Sequence, residues 1–158
     1  MKAGKGRTDL VLNILCLLLI IGVAAFLAAA WGHIPEQVAS HYSFSGEADR
    51  FGPKSGLVTV WVIVTAACVL LTAIERIPKS AWNTAFAVTG EERGRVYALT
   101  VRCLNSVKLW LALLFAYCVV TSALGAGFSV WLALALTGAE LGTVFYLLGR
   151  IIQVGKKS

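Results

Sequence analysis

LVLNILCLLLIIGVAAFLAAA, residues 10–30, runs for 21 positions without a charged side chain. The hydrocarbon core of a bilayer takes about 20 apolar residues in a helix, so this stretch has the length of a membrane span. Three more segments read the same way, at 57–74, 104–124 and 128–148. Inside lipid every backbone donor needs an internal acceptor, which selects helices over open strands. The fold class expected is therefore all-α: a polytopic membrane protein of four transmembrane helices with a structured outer loop between helices 1 and 2.

Composition agrees. The chain is 58% hydrophobic and 14% charged, with a mean hydropathy of +0.79. A soluble domain of 158 residues would need more polar surface to cover its core. The formal net charge of +6 does not point to nucleic acid. The basic residues cluster beside hydrophobic spans and are not interleaved with aromatics along one face. Lys2, Lys5 and Arg7 precede the first span; Arg76, Lys79, Arg93, Arg95 and Arg102 lie between the second and third; Arg150, Lys156 and Lys157 follow the fourth. The 31–56 loop holds only Arg50 and Lys54, and the turn at Gly125–Gly127 holds no basic residue. By the positive-inside rule both termini and the 76–103 loop are cytoplasmic, in an inner (plasma) membrane, and the 31–56 loop faces outward. Trp31, Trp61, Trp82, Trp110 and Trp131 fall near span boundaries as an aromatic belt would. A basic start, an apolar run and Ala28-Ala29-Ala30 imitate a cleaved signal peptide, but the run exceeds the usual 7–15 residues. The expectation is one uncleaved membrane domain over 1–158.

Cys16, Cys68, Cys103 and Cys118 form no C-x-x-C pair and lie in or at the edge of spans, which suits small buried hydrophobes. Thr89-Gly90-Glu91-Glu92 has the form of a capping box, so the third helix is expected to begin near Gly90 and protrude past the membrane.

The chemically dense segment is the outer loop. Both histidines, two of the three prolines and Glu36, Glu47 and Asp49 lie between Gly32 and Gly56. Pro35 biases Ile34 toward an extended conformation, and Ser45-Gly46 and Gly52-Pro53 each mark a turn. Folding back would bring His41, Asp49 and Lys54 together, an imidazole, a carboxylate and an ammonium that can bind a polar ligand or relay a proton. The candidate ligand-binding residues are His41, Asp49, Arg50, Lys54 and Glu36. Their alternative is a His41–Asp49 bond that merely pins the loop. His33, His41, Glu36 and Asp49 are an alternative metal-holding set, but they match no metal-ligand spacing, and the expectation is neither a metal nor a cofactor. No G-x-S-x-G elbow or H-E-x-x-H helix is present, which leaves enzyme chemistry through His41 and Asp49 as a minor alternative.

The run Ile34-Pro35 … His41-Tyr42-Ser43-Phe44-Ser45-Gly46-Glu47-Ala48-Asp49-Arg50-Phe51-Gly52-Pro53-Lys54 resembles a family of small bacterial membrane proteins. Its pattern is a Pro, a His followed by an aromatic, then Gly-x-x-Asp-Arg-aromatic-Gly and a Lys. These proteins carry the domain of unknown function found at the amino terminus of SdpI-type immunity proteins, which protect a cell from its own secreted peptide toxin. Asn83, Thr89-Gly90-Glu91, Tyr97, Arg102 and Lys108 resemble the family's polar positions after its second span. The resemblance covers about 10–120. Ile34 stands where a Leu is usual, and the longer carboxy-terminal half of full SdpI proteins is lacking. The resemblance implies a membrane protein that detects or resists an extracytoplasmic agent such as a peptide toxin or a lipid.

Within the spans, Glu140 stands about midway along the last, where a charge is costly unless paired. Counting depth at about 1.5 Å per residue, Lys108 is the expected partner, with Asn105 and Asn13 completing a polar cluster. This cluster is either glue between helices or the coupling site of a small proton-coupled transporter. Gly138 and Gly142 form a small-xxx-small pair suited to a homo-oligomer.

Overall fold

The computed structural model describes residues 6–78 and 90–156. Its elements run α1 (Arg7–Ala30), β1 (Gln37–Tyr42), β2 (Ala48–Pro53), α2 (Ser55–Ile74), α3 (Gly90–Leu124) and α4 (Val130–Gly155). All four helices are long and apolar enough to cross a membrane, so this is a helical membrane protein. Among the described residues, strands appear only in the segment between α1 and α2, which the sequence marks as folded but does not identify as a hairpin.

The helix ends follow local chemistry. The Asp9 carboxylate accepts from the Gly6 N–H at 2.9 Å and satisfies one donor at the start of α1. Ser129 caps α4, its Oγ accepting from Leu132 N–H at 3.3 Å. Glu91 and Glu92 sit in the first turn of α3, where carboxylates complement the helix dipole. Of the expected capping box, Thr89 lies outside the described residues, as does Asn83.

α3 is the hub. It packs against α1, α2, α4 and β1, whereas the packing of α4 is dominated by α3. Two small apolar cores result. Leu27, Ile34, Val38, Leu57, Val119 and Ala123 close the end that carries the hairpin, and Cys16, Val64, Cys68 and Ala112 fill the middle. Lipid tails are as apolar as leucine, so close packing and polar contacts, rather than water exclusion, must hold the helices together. One such contact runs from Trp61 Nε1 to the Ile20 carbonyl at 3.0 Å.

The two ends differ in charge. Among the described residues, Arg50 and Lys54 are the basic residues near the hairpin. Arg7, Arg76, Arg93, Arg95, Arg102, Arg150 and Lys156 are at or near the opposite, basic end.

Candidate functional site

The hairpin is built by its punctuation. β1 and β2 pair antiparallel, with Val38 opposite Gly52, Ala39 opposite Phe51, His41 opposite Arg50 and Tyr42 opposite Ala48, and the ladder is irregular on both sides of His41. The turn closes through Ser43 N–H to the Glu47 carbonyl at 2.7 Å. Gly46 takes φ +84°, a region that glycine enters without steric penalty. A Cβ there would lie 2.2 Å from the Phe128 carbonyl oxygen, so the turn rests directly on the α3–α4 connection.

Three sets of contacts clamp this cap. Tyr42 bonds Ser122 Oγ through its hydroxyl at 3.1 Å and stacks on Phe128 with ring centroids 4.5 Å apart. Phe128 leans on Tyr117, whose hydroxyl accepts from Ser129 N–H at 2.6 Å and holds the connection in place. At the foot, the Lys54 ammonium lies 2.9 Å from Glu36, donates to the Trp31 carbonyl at 3.3 Å and sits over the Trp31 ring at 5.1 Å.

The structure divides the expected trio into two pairs. His41 Nδ1 meets Asp49 Oδ1 at 2.6 Å, both side chains about half exposed. Lys54 pairs instead with Glu36, five residues before His41, or about 16 Å along an extended strand. Arg50 is exposed and forms no ion pair among the described residues. Phe44 and Phe51 are 85% and 64% exposed, so the cap offers a titratable pair, a guanidinium and two aromatic rings to its surroundings. No group of three or more histidine, cysteine or acidic side chains comes together to hold a metal among the described residues.

The second polar site lies toward the basic end. Lys108 and Glu75 form an ion pair with side chains 1% and 0% exposed. The same ammonium donates to Asn13 Oδ1 at 2.7 Å and Thr72 Oγ1 at 3.0 Å, so three acceptors meet its three donors. Asn13 also donates to Asn105 Oδ1 at 2.7 Å, joining α1, α2 and α3. Nearby, Arg102 approaches the buried Asp9 at 3.5 Å, and Tyr97 donates to the Glu75 carbonyl at 3.0 Å. The thiols of Cys16 and Cys68 lie 3.8 Å apart beside the Lys108 carbonyl, across two helices.

Lys108, Asn105 and Asn13 thus assemble, and Glu140 does not join them. Lys108 turns toward α1 and α2. Glu140 lies two turns before Leu147, the buried residue of α4, and so shares the stripe that meets α3 from another side. Glu140 is half-buried and makes no hydrogen bond or ion pair among the described residues. The carboxylate that compensates Lys108 is Glu75. Gly138 and Gly142 face open space, with nothing within 4 Å of a Cβ on either.

Glu75, Thr72 and Asp9 were missed because each sits near the end of an apolar run and reads as its boundary. A signal was present. Asp9-Asn13-Cys16 and Cys68-Thr72-Glu75 each recur at i, i+4, i+7, which places three polar or polarisable groups on one stripe of each helix. Tyr42 stood in the quoted loop run, but nothing in the sequence linked it to Ser122 or Phe128.

Residues 17–67 match the family model of a domain of unknown function, DUF1648. The match runs from within α1 through the hairpin into α2. No curated protein and no solved structure gives a significant match.

Proposed function

We propose, for a chain carrying DUF1648 over residues 17–67, that the hairpin is an extracytoplasmic ligand-binding cap serving immunity, resistance or sensing, in an SdpI-related inner-membrane protein. The observation that carries this reading is the exposed His41–Asp49 pair on a hairpin clamped at its foot, its turn and Tyr42. An exposed ion pair contributes little to stability, so its chemistry is available for something else. A carboxylate bound to Nδ1 orients the imidazole and leaves Nε2 as its outward contact. The distribution of Arg and Lys supports placing the basic end and both termini in the cytoplasm.

The ligand classes that suit this cap are a peptide toxin, a lipid headgroup or another small polar molecule. The test compares growth of cells producing the chain with vector controls against a panel of secreted antimicrobial peptides, followed by His41→Ala and Asp49→Ala. Protection against a panel member that both substitutions abolish, at unchanged membrane abundance, is the expected result. Equal growth with and without the chain across the panel, or full protection by both variants, overturns the proposal.

A second reading, a small proton-coupled transporter working as an oligomer, draws support from the buried Lys108–Glu75 pair. Ionisable groups in a membrane interior are unusual without a task. In this reading the coupling pair is Lys108–Glu75, and Glu140 no longer has the partner on which its role depended. Flux driven by a pH gradient in liposomes that survives Glu75→Gln rules it out.

A further inference from the structure

At the basic end, a crevice of about 220 Å³ opens between the first turns of α3 and the last turns of α4, lined by Glu92, Arg95, Arg150, Gln153 and Val154. We propose that it binds the phosphate of an anionic phospholipid. This rests on observations separate from the hairpin and holds whichever way the chain is oriented.

Depth comes first. From Val130 to Arg150, α4 rises about 30 Å at 1.5 Å per residue, the thickness of the hydrocarbon core. Arg150 therefore stands where the core ends. Along α3, Arg95 is 29 residues from Leu124, or about 44 Å, which carries it past that boundary. The two guanidiniums bracket the headgroup layer on that side from two different helices.

Charge comes second. Arg150 donates to the Tyr146 hydroxyl at 2.9 Å and lies over its ring, contacts that hold the side chain without neutralising it. Arg95 is bridged to Glu91 at 3.2 Å, but both side chains are more than two-thirds exposed. A solvated i,i+4 pair of this kind is weak enough for Arg95 to turn to a phosphate. Glu92 also lines the crevice, but it is already engaged by a contact of its own. Gln153 adds an amide donor. Two guanidiniums with their forked donors suit the oxygens of a phosphodiester better than a neutral or cationic guest.

Apolar surface comes third. On the crevice's own face of α4, Tyr146 is exposed one turn below Arg150, and the exposed small residues Gly142 and Ala139 continue that face along the span. A phospholipid held by its phosphate would lay its chains along this face. Basic pockets at this depth are a recognised way of holding anionic headgroups.

The test is native mass spectrometry of the full chain, released from nanodiscs of phosphatidylcholine containing a minor fraction of phosphatidylglycerol. Phosphatidylglycerol adducts are expected to be enriched on the order of tenfold over their share, and Arg95→Gln with Arg150→Gln to remove that enrichment. Arg93→Gln, exposed on the same turns but outside the crevice, is expected to leave it intact. Both arginines are exposed, so the double variant keeps its fold, checked by an unchanged melting transition. A thermal shift with inorganic phosphate but no lipid enrichment would replace the lipid with a free anion and overturn the proposal. So would equal retention of the two lipids, or a loss in Arg93→Gln as large as in the double variant.

Discussion

The hairpin end and the basic end use the same kinds of side chain in opposite ways. At the hairpin, His41–Asp49 and Glu36–Lys54 each leave at least one partner in contact with solvent, while apolar and aromatic groups clamp the cap. At the other end Lys108 and Glu75 are almost wholly enclosed and helices are joined through them. An ion pair in high dielectric can be removed with little effect on the fold. One enclosed between helices binds its partners to each other, because either charge alone is far more costly than both together. The difference separates residues that shape the molecule from those free to act on something else.

The largest effect expected from this contrast is at Lys108. Lys108→Met leaves Glu75 enclosed without its ammonium and is expected to destabilise the protein by about 3–5 kcal/mol. Adding Glu75→Gln is expected to recover most of that loss, and a double-mutant cycle in a denaturation series measures the coupling. Additive losses would mean that the pair is not the joint between α2 and α3.

Next comes the seat of the hairpin. Gly46→Ala places a Cβ against the Phe128 carbonyl at a positive φ, with an expected cost of about 1–3 kcal/mol. The effect is expected at the hairpin, read as faster limited proteolysis between 43 and 47. Tyr42→Phe removes only the hydroxyl bond to Ser122, with an expected loss of about 0.5–1.5 kcal/mol and the ring stack retained. Both are read from melting transitions in one detergent.

The smallest effect on stability is expected from His41→Ala, within about 0.5 kcal/mol. The same substitution is expected to have the largest effect on ligand protection. A melting transition lowered as far as that of Gly46→Ala would turn the dyad into a structural brace.

The spans were legible because length and apolarity are one-dimensional properties of a membrane helix. The region of the first was set by residues 10–30, with α1 extending three residues further at its basic start. The hairpin was half legible. Ser45-Gly46 announced its turn, whereas Gly52-Pro53, expected as a second turn, pairs with Val38 and Gln37 at the end of β2, because strand pairing depends on a register that turn residues alone do not give. The partition of His41, Asp49 and Lys54 into two pairs is set by that register. In the bundle, depth counting placed Lys108, Asn13 and Asn105 at one level and then chose the wrong carboxylate. Depth says nothing about azimuth, and Glu140 reaches α3 from a different side than α1 and α2 do.

The separation of the two ends is tested most directly by labelling at position 41. His41→Cys, in a chain whose Cys16, Cys68, Cys103 and Cys118 are replaced by serine, would be treated in intact cells with a membrane-impermeant maleimide. Labelling before permeabilisation, with no further gain after it, is the result expected of an exposed cap on the outer face. Labelling that appears only once the membrane is opened would place the hairpin in the cytoplasm and contradict the account.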